Sequence, residues 1–122
     1  MVPKGLRTWF IIHFIADYLF GIPLLIAPIW TMTFFGWASI DPATTRLVGA
    51  ALLGIGGESF LGRDASVETY RAMLNLKIIW SLGAIFSIAA AVVQDAPPIT
   101  WLLLIIFLIF SITWIYYRMK IK

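Results

Sequence analysis

Residues 43–62, ATTRLVGAALLGIGGESFLG, decide the fold, because they set a carboxylate, Glu58, inside a run otherwise made of apolar and small residues. At helical spacing Arg46, Ala50, Gly54, Glu58 and Gly62 recur every four residues, along one face that is nearly bare of bulk. Such a face lets a neighbouring backbone come close, and an acid lying within a bilayer needs a partner. The stretch therefore predicts a membrane-spanning helix that packs through Gly49, Ala50, Gly54 and Gly57 and carries Glu58 to a polar neighbour.

Composition agrees with that reading. The chain has 122 residues, of which 61% are hydrophobic, 16% aromatic and only 12% charged. A soluble domain is about half apolar and about a quarter charged, so an integral membrane protein is expected. There are no cysteines, which excludes a disulfide framework, a thiolate metal site and a cysteine nucleophile. The net charge of +3 does not point to nucleic acid, because the basic residues flank apolar runs instead of forming a solvated patch.

Upstream, the first apolar run follows Lys4 and Arg7 and extends to Trp30. It is longer than the core of a signal peptide and carries Asp17 and two prolines, so an uncleaved span over residues 9–27 is expected. At 1.5 Å per residue that segment covers roughly 28 Å, enough for the hydrocarbon core. Pro23, with Gly21 two residues before it, predicts a kink, and Pro28 predicts the end of the helix. Trp30, Phe34, Phe35 and Trp37 fall where an interfacial aromatic belt belongs. Asp41-Pro42 is a helix start, the carboxylate as N-cap and proline at the first helical position.

Downstream, GRDASVETY at 62–70 is the most polar segment and reads as a short loop in which Asp64 or Ser66 caps the next helix. A third span is expected over about 71–93, a tight connection through Gln94, Asp95, Pro97 and Pro98, and a fourth span over about 99–117. With the second span at about 43–61, the expected architecture is all-α: one transmembrane domain, residues 1–122, folded as an antiparallel four-helix bundle.

In that topology Lys4, Arg7, Arg63, Arg71, Lys77, Arg118, Lys120 and Lys122 lie toward one side, and only Arg46 toward the other. By the positive-inside rule both termini and the 62–70 loop are cytoplasmic, in a multi-pass protein of the cell membrane. Counting inward from Trp9, Arg63 and Arg71, His13 lies roughly 6 Å deep, Asp17 roughly 12 Å, Glu58 roughly 7 Å and Lys77 roughly 9 Å. Ionisable groups from three spans thus share one layer. Because an unpaired charge near the bilayer centre costs about 2.5–3.5 kcal/mol on insertion scales, pairing is expected, with Lys77 bridged to Glu58, Asp17 or both and His13 hydrogen-bonded to Asp17.

This layer of His13, Asp17, Glu58 and Lys77 is the candidate ligand or proton site. No HExxH, P-loop, GxSxG or dinucleotide fingerprint occurs, and one histidine with two acids lacks a metal-ligand spacing. No metal, cofactor or nucleic acid is expected, and membrane lipid is the surrounding partner. Two function classes fit. In one, the layer moves a small solute, a cation or protons; in the other, the same charges lock the bundle of a structural or accessory subunit in a membrane complex. Catalysis is not expected, a lipid-modifying enzyme being a distant third reading. Four short helices enclose little space, so a homo-oligomer is expected for transport.

The segments GIPLLIAPIWTMTFFGW (21–37), RLVGAALLGIGGESFLGR (46–63) and RAMLNLKIIWSLGA (71–84) resemble small four-span prokaryotic membrane proteins of unknown function. In those proteins a Gly/Pro-rich first hairpin precedes an Arg-Leu-x-Gly-Ala second helix. The resemblance implies a four-span fold and brings no activity with it. Asp17 occupies a place broadly similar to the first-span carboxylate of small multidrug-resistance transporters, which is a glutamate there. The charge bias of this chain departs from their antiparallel pairing.

Overall fold

The computed structural model describes residues 1–122. It is all-α, with five helices and no strands: α1 (Lys4–Ile26), α2 (Pro28–Phe34), α3 (Pro42–Leu61), α4 (Val67–Val93) and α5 (Ile99–Lys120). Two compact units are distinguished, one of residues 3–64 and one of residues 65–122 with residues 1–2. Three helices, α1, α4 and α5, are long and apolar enough to cross a membrane. The helix expected as a further span, α3, has the length, but Thr44, Thr45, Arg46, four glycines, Glu58 and Ser59 dilute its apolar content.

In the first unit, Pro23 sits inside α1, which continues to Ile26. Pro28 does more than end that helix. After Ala27 leaves helical geometry, proline occupies the first position of α2, where its fixed φ is already suitable and its missing N–H is not needed. The carbonyls at the end of α1 find partners: Pro23 accepts from the Ala27 N–H at 2.8 Å and from the Thr31 hydroxyl at 3.0 Å, and Leu25 accepts from Arg46 Nε at 3.3 Å. Arg46 thus ties α3 to the end of α1. After α2, the Trp37 N–H donates to Met32 and the Gly36 N–H to Thr33, with Gly36 at φ 105°, a Schellman ending. Trp30 and Phe34 are exposed and stack at 5.6 Å.

Asp41 caps α3 as the sequence predicts, accepting from the Ala43 N–H at 3.2 Å and from the Thr44 hydroxyl. α3 runs antiparallel to α1 along its whole length. Arg7 meets Arg63 and Asp64 at one end, Phe14 meets Phe60, Gly21 meets Gly49, and Leu25 meets Arg46 at the other. The buried positions of α3, Gly49, Leu52, Gly56 and Ser59, follow a three-four-three spacing, the seam of closely packed antiparallel helices. At the Gly21–Gly49 crossing the backbones touch: a Cβ on Gly49 would lie 2.8 Å from the Gly21 carbonyl oxygen and 2.8 Å from the Leu25 nitrogen. In lipid, where burial gives little drive for helix association, such contact supplies dispersion energy that bulkier residues would forbid.

In the second unit, Ser66 caps α4 by accepting from the Thr69 N–H, so the helix starts one turn before the apolar run at Arg71. At its far end Asp95, at φ 61°, fills the position usually taken by glycine, and the Ala96 N–H reaches back to the Ala91 carbonyl at 3.1 Å. α5 then returns antiparallel to α4, with Trp80 against Phe107 and Arg118 Nε donating to Asn75 Oδ1 at 2.8 Å. Its inner residues are large: Phe110 and Trp114 are buried and stack at 5.6 Å with an interplanar angle of 14°.

Candidate functional site

His13 and Asp17 are one helical turn apart on α1, so their side chains meet on one face. His13 Nε2 lies 3.2 Å from Asp17 Oδ1, and on its other side Nδ1 lies 3.3 Å from the Ser59 hydroxyl of α3. Ser59 is also within 3.0 Å of the Ile55 carbonyl, to which its hydroxyl can donate. All three residues are buried, with relative exposures of 3% for His13, 6% for Asp17 and 0% for Ser59.

Room for this cluster comes from two glycines of α3. A Cβ on Gly56 would lie 2.6 Å from Asp17 Cβ and 3.1 Å from its Oδ2. One on Gly57 would lie 2.9 Å from the Tyr18 hydroxyl. The absent side chain of Gly56 is therefore the space that Asp17 occupies, and any larger residue there would push the carboxylate away from His13.

Glu58 is exposed, and it is its neighbour Ser59 that faces His13. Along a helix one residue is a turn of about 100°, so Glu58 and Ser59 cannot both look at α1. Ala50 is exposed, and a Cβ on Gly54 would meet nothing within 4 Å, so within this unit the close contacts of α3 run through Gly49, Gly56 and Gly57. Lys77 belongs to α4 of the second unit, where it is buried with its ammonium 5.1 Å from the centre of the Trp114 ring, a cation–π distance. Ser59 was not singled out by the sequence. Its signal is the pair Gly56 and Ser59 three residues apart, a gap followed by a hydrogen-bonding group on one face.

Chemically, the cluster orders a hydroxyl, an imidazole and a carboxylate. Ser59 is poorly placed as a nucleophile, since it sits mid-helix, fully buried, with its hydroxyl against its own helix carbonyl. The Asp17 carboxylate faces one ring nitrogen and the Ser59 hydroxyl the other. No three His, Cys, Asp or Glu side chains are grouped as a metal ion would require.

Compared with protein-family models, with curated proteins and with solved structures, the chain matches none.

Proposed function

We propose that the chain is a small multi-pass membrane protein whose α1–α3 hairpin carries a buried proton-exchange site, and that its activity is the movement of protons, alone or with a small solute or cation. The observation that carries this reading is the contact of His13 with Asp17 at 3.2 Å inside a helix apolar enough to span a bilayer. Ionisable pairs at such depth are expensive and concentrate along ion and proton paths.

In this reading α3 is a fourth span. It has 20 residues and pairs antiparallel with α1 from Arg7–Asp64 to Leu25–Arg46, so when α1 crosses the membrane α3 occupies the same depth. The strong bias of basic residues then puts both termini and the 62–70 loop on the cytoplasmic side of the plasma membrane, and a homo-oligomer supplies the enclosed path that four helices lack.

The test is a pH jump across proteoliposomes. Wild type passes protons, whereas Asp17→Asn and His13→Gln, folded by circular dichroism, pass none; a silent wild type across a broad solute panel would refute transport. A second reading, an accessory subunit, is favoured by the backbone contact at Gly21–Gly49, since such rigidity suits a packing element. Co-purification of an intact membrane complex lost in Gly54→Leu would support it, because Gly54 leaves open space for another chain.

A further inference from the structure

His13 is the only histidine of the chain, and each ring nitrogen has its own neighbour, Asp17 Oδ1 at 3.2 Å from Nε2 and Ser59 Oγ at 3.3 Å from Nδ1. We propose that Asp17 holds His13 as the Nε2–H tautomer and that Nδ1 is the atom that takes and releases the proton, with the Ser59 hydroxyl turning between Nδ1 and the Ile55 carbonyl as it does so. The inference rests on the proton-exchange reading above and identifies the exchanging atom.

The argument is an inventory of donors and acceptors. An ionised Asp17 only accepts, so the nitrogen facing it carries a hydrogen. In the neutral ring Nδ1 is then bare, and the single hydroxyl hydrogen of Ser59 points at it. When Nδ1 takes a proton from a hydronium ion, which leaves as water, the ring becomes cationic and both nitrogens donate. Ser59 must now accept, and its hydrogen turns to the Ile55 carbonyl, 3.0 Å away. One O–H···N bond is exchanged for one N–H···O and one O–H···O, so neither state leaves Nδ1 or the hydroxyl unpaired, the usual penalty for moving charge into a buried site. A serine on the same helix as its acceptor carbonyl needs only a rotation about its Cα–Cβ bond.

Asp17 faces the ring from α1 and Ser59 from α3, while Glu58 is exposed and α2, PIWTMTF, has no titratable side chain.

Nitrogen NMR of ¹⁵N-histidine protein in lipid nanodiscs tests this without assignment, because one ring contributes all the signals. At alkaline pH the expected spectrum has a protonated Nε2 and a bare, hydrogen-bonded Nδ1, and at mildly acidic pH both nitrogens are protonated. Ser59→Ala moves the bare Nδ1 signal downfield and leaves Nε2 in place, and Ser59→Thr, which keeps the hydroxyl, restores it. A neutral ring protonated at Nδ1, or an Nδ1 signal that ignores Ser59→Ala, overturns the inference while leaving proton exchange intact. A ring that stays neutral wherever the protein is folded overturns the proton-exchange reading itself.

Discussion

The two helix hairpins solve the same packing problem with opposite materials. α1 and α3 meet through glycines, with backbone against backbone at Gly21–Gly49 and a side chain fitted into the gap at Gly56. α4 and α5 meet through rings, Trp80 on Phe107 and Lys77 over Trp114. Either strategy can operate inside a bilayer, where burial of apolar surface drives little association. The lesson lies in tolerance. A glycine seam positions backbone and polar groups closely but accepts no added atom, whereas an aromatic seam is adjustable because side chains can shift. A polar cluster that must hold a fixed geometry belongs on the first kind of seam, and that is where His13, Asp17 and Ser59 are found.

The largest expected break of this contrast is Gly49→Leu. Its Cβ meets backbone on α1, which cannot yield as a side chain would, so a cost of about 3 kcal/mol or complete loss of the hairpin is expected. Gly83→Leu on α4, with nothing within 4 Å, changes stability by no more than about 0.5 kcal/mol. Thermal melts in detergent compare the two, and equal effects would erase the distinction between the seams.

Trp114→Leu tests the aromatic seam. It removes the ring beneath Lys77 and the stack with Phe110, for an expected loss of about 1 kcal/mol, and Trp114→Phe recovers part of it. A smaller effect is expected at the entrance to α3. The Thr44 hydroxyl, and then the Ala43 N–H, hold the Asp41 carboxyl below its ordinary value of 3.8. Because the folded value is depressed, the cap contributes fully above the unfolded value and is lost as pH falls through the folded one. Melts of wild type and Asp41→Ala should therefore differ at neutral pH and converge in acid below 3.8. A difference that persists unchanged in acid would remove the carboxylate from the cap.

Much of this was legible in the chain. Helix ends were, because Asp41-Pro42, Ser66 and the residues at 94–98 act locally through caps and turns whose chemistry needs no distant partner. The i, i+4 pairing of His13 with Asp17 was also legible, being a property of one helix. The face of α3 was not. Arg46, Ala50, Gly54 and Glu58 make a smooth stripe, yet the seam runs through Gly49, Leu52, Gly56 and Ser59. Glycines lie on both stripes, and choosing between them requires the shape of α1, where the bulk of Asp17 fits only opposite Gly56. The short helix α2 was missed for a related reason: a proline that ends one helix is equally a good first residue for another.

Everything proposed for the glycine seam stands on His13 and Asp17 acting as one unit, and a double-mutant cycle measures that directly. Reversible unfolding of wild type, His13→Gln, Asp17→Asn and the double variant in mixed micelles at neutral pH should yield a coupling of about 1 kcal/mol or more, the two single changes each removing most of what the double change removes. Strictly additive effects would mean that the 3.2 Å contact carries no energy, and the account of a coupled buried site would be contradicted.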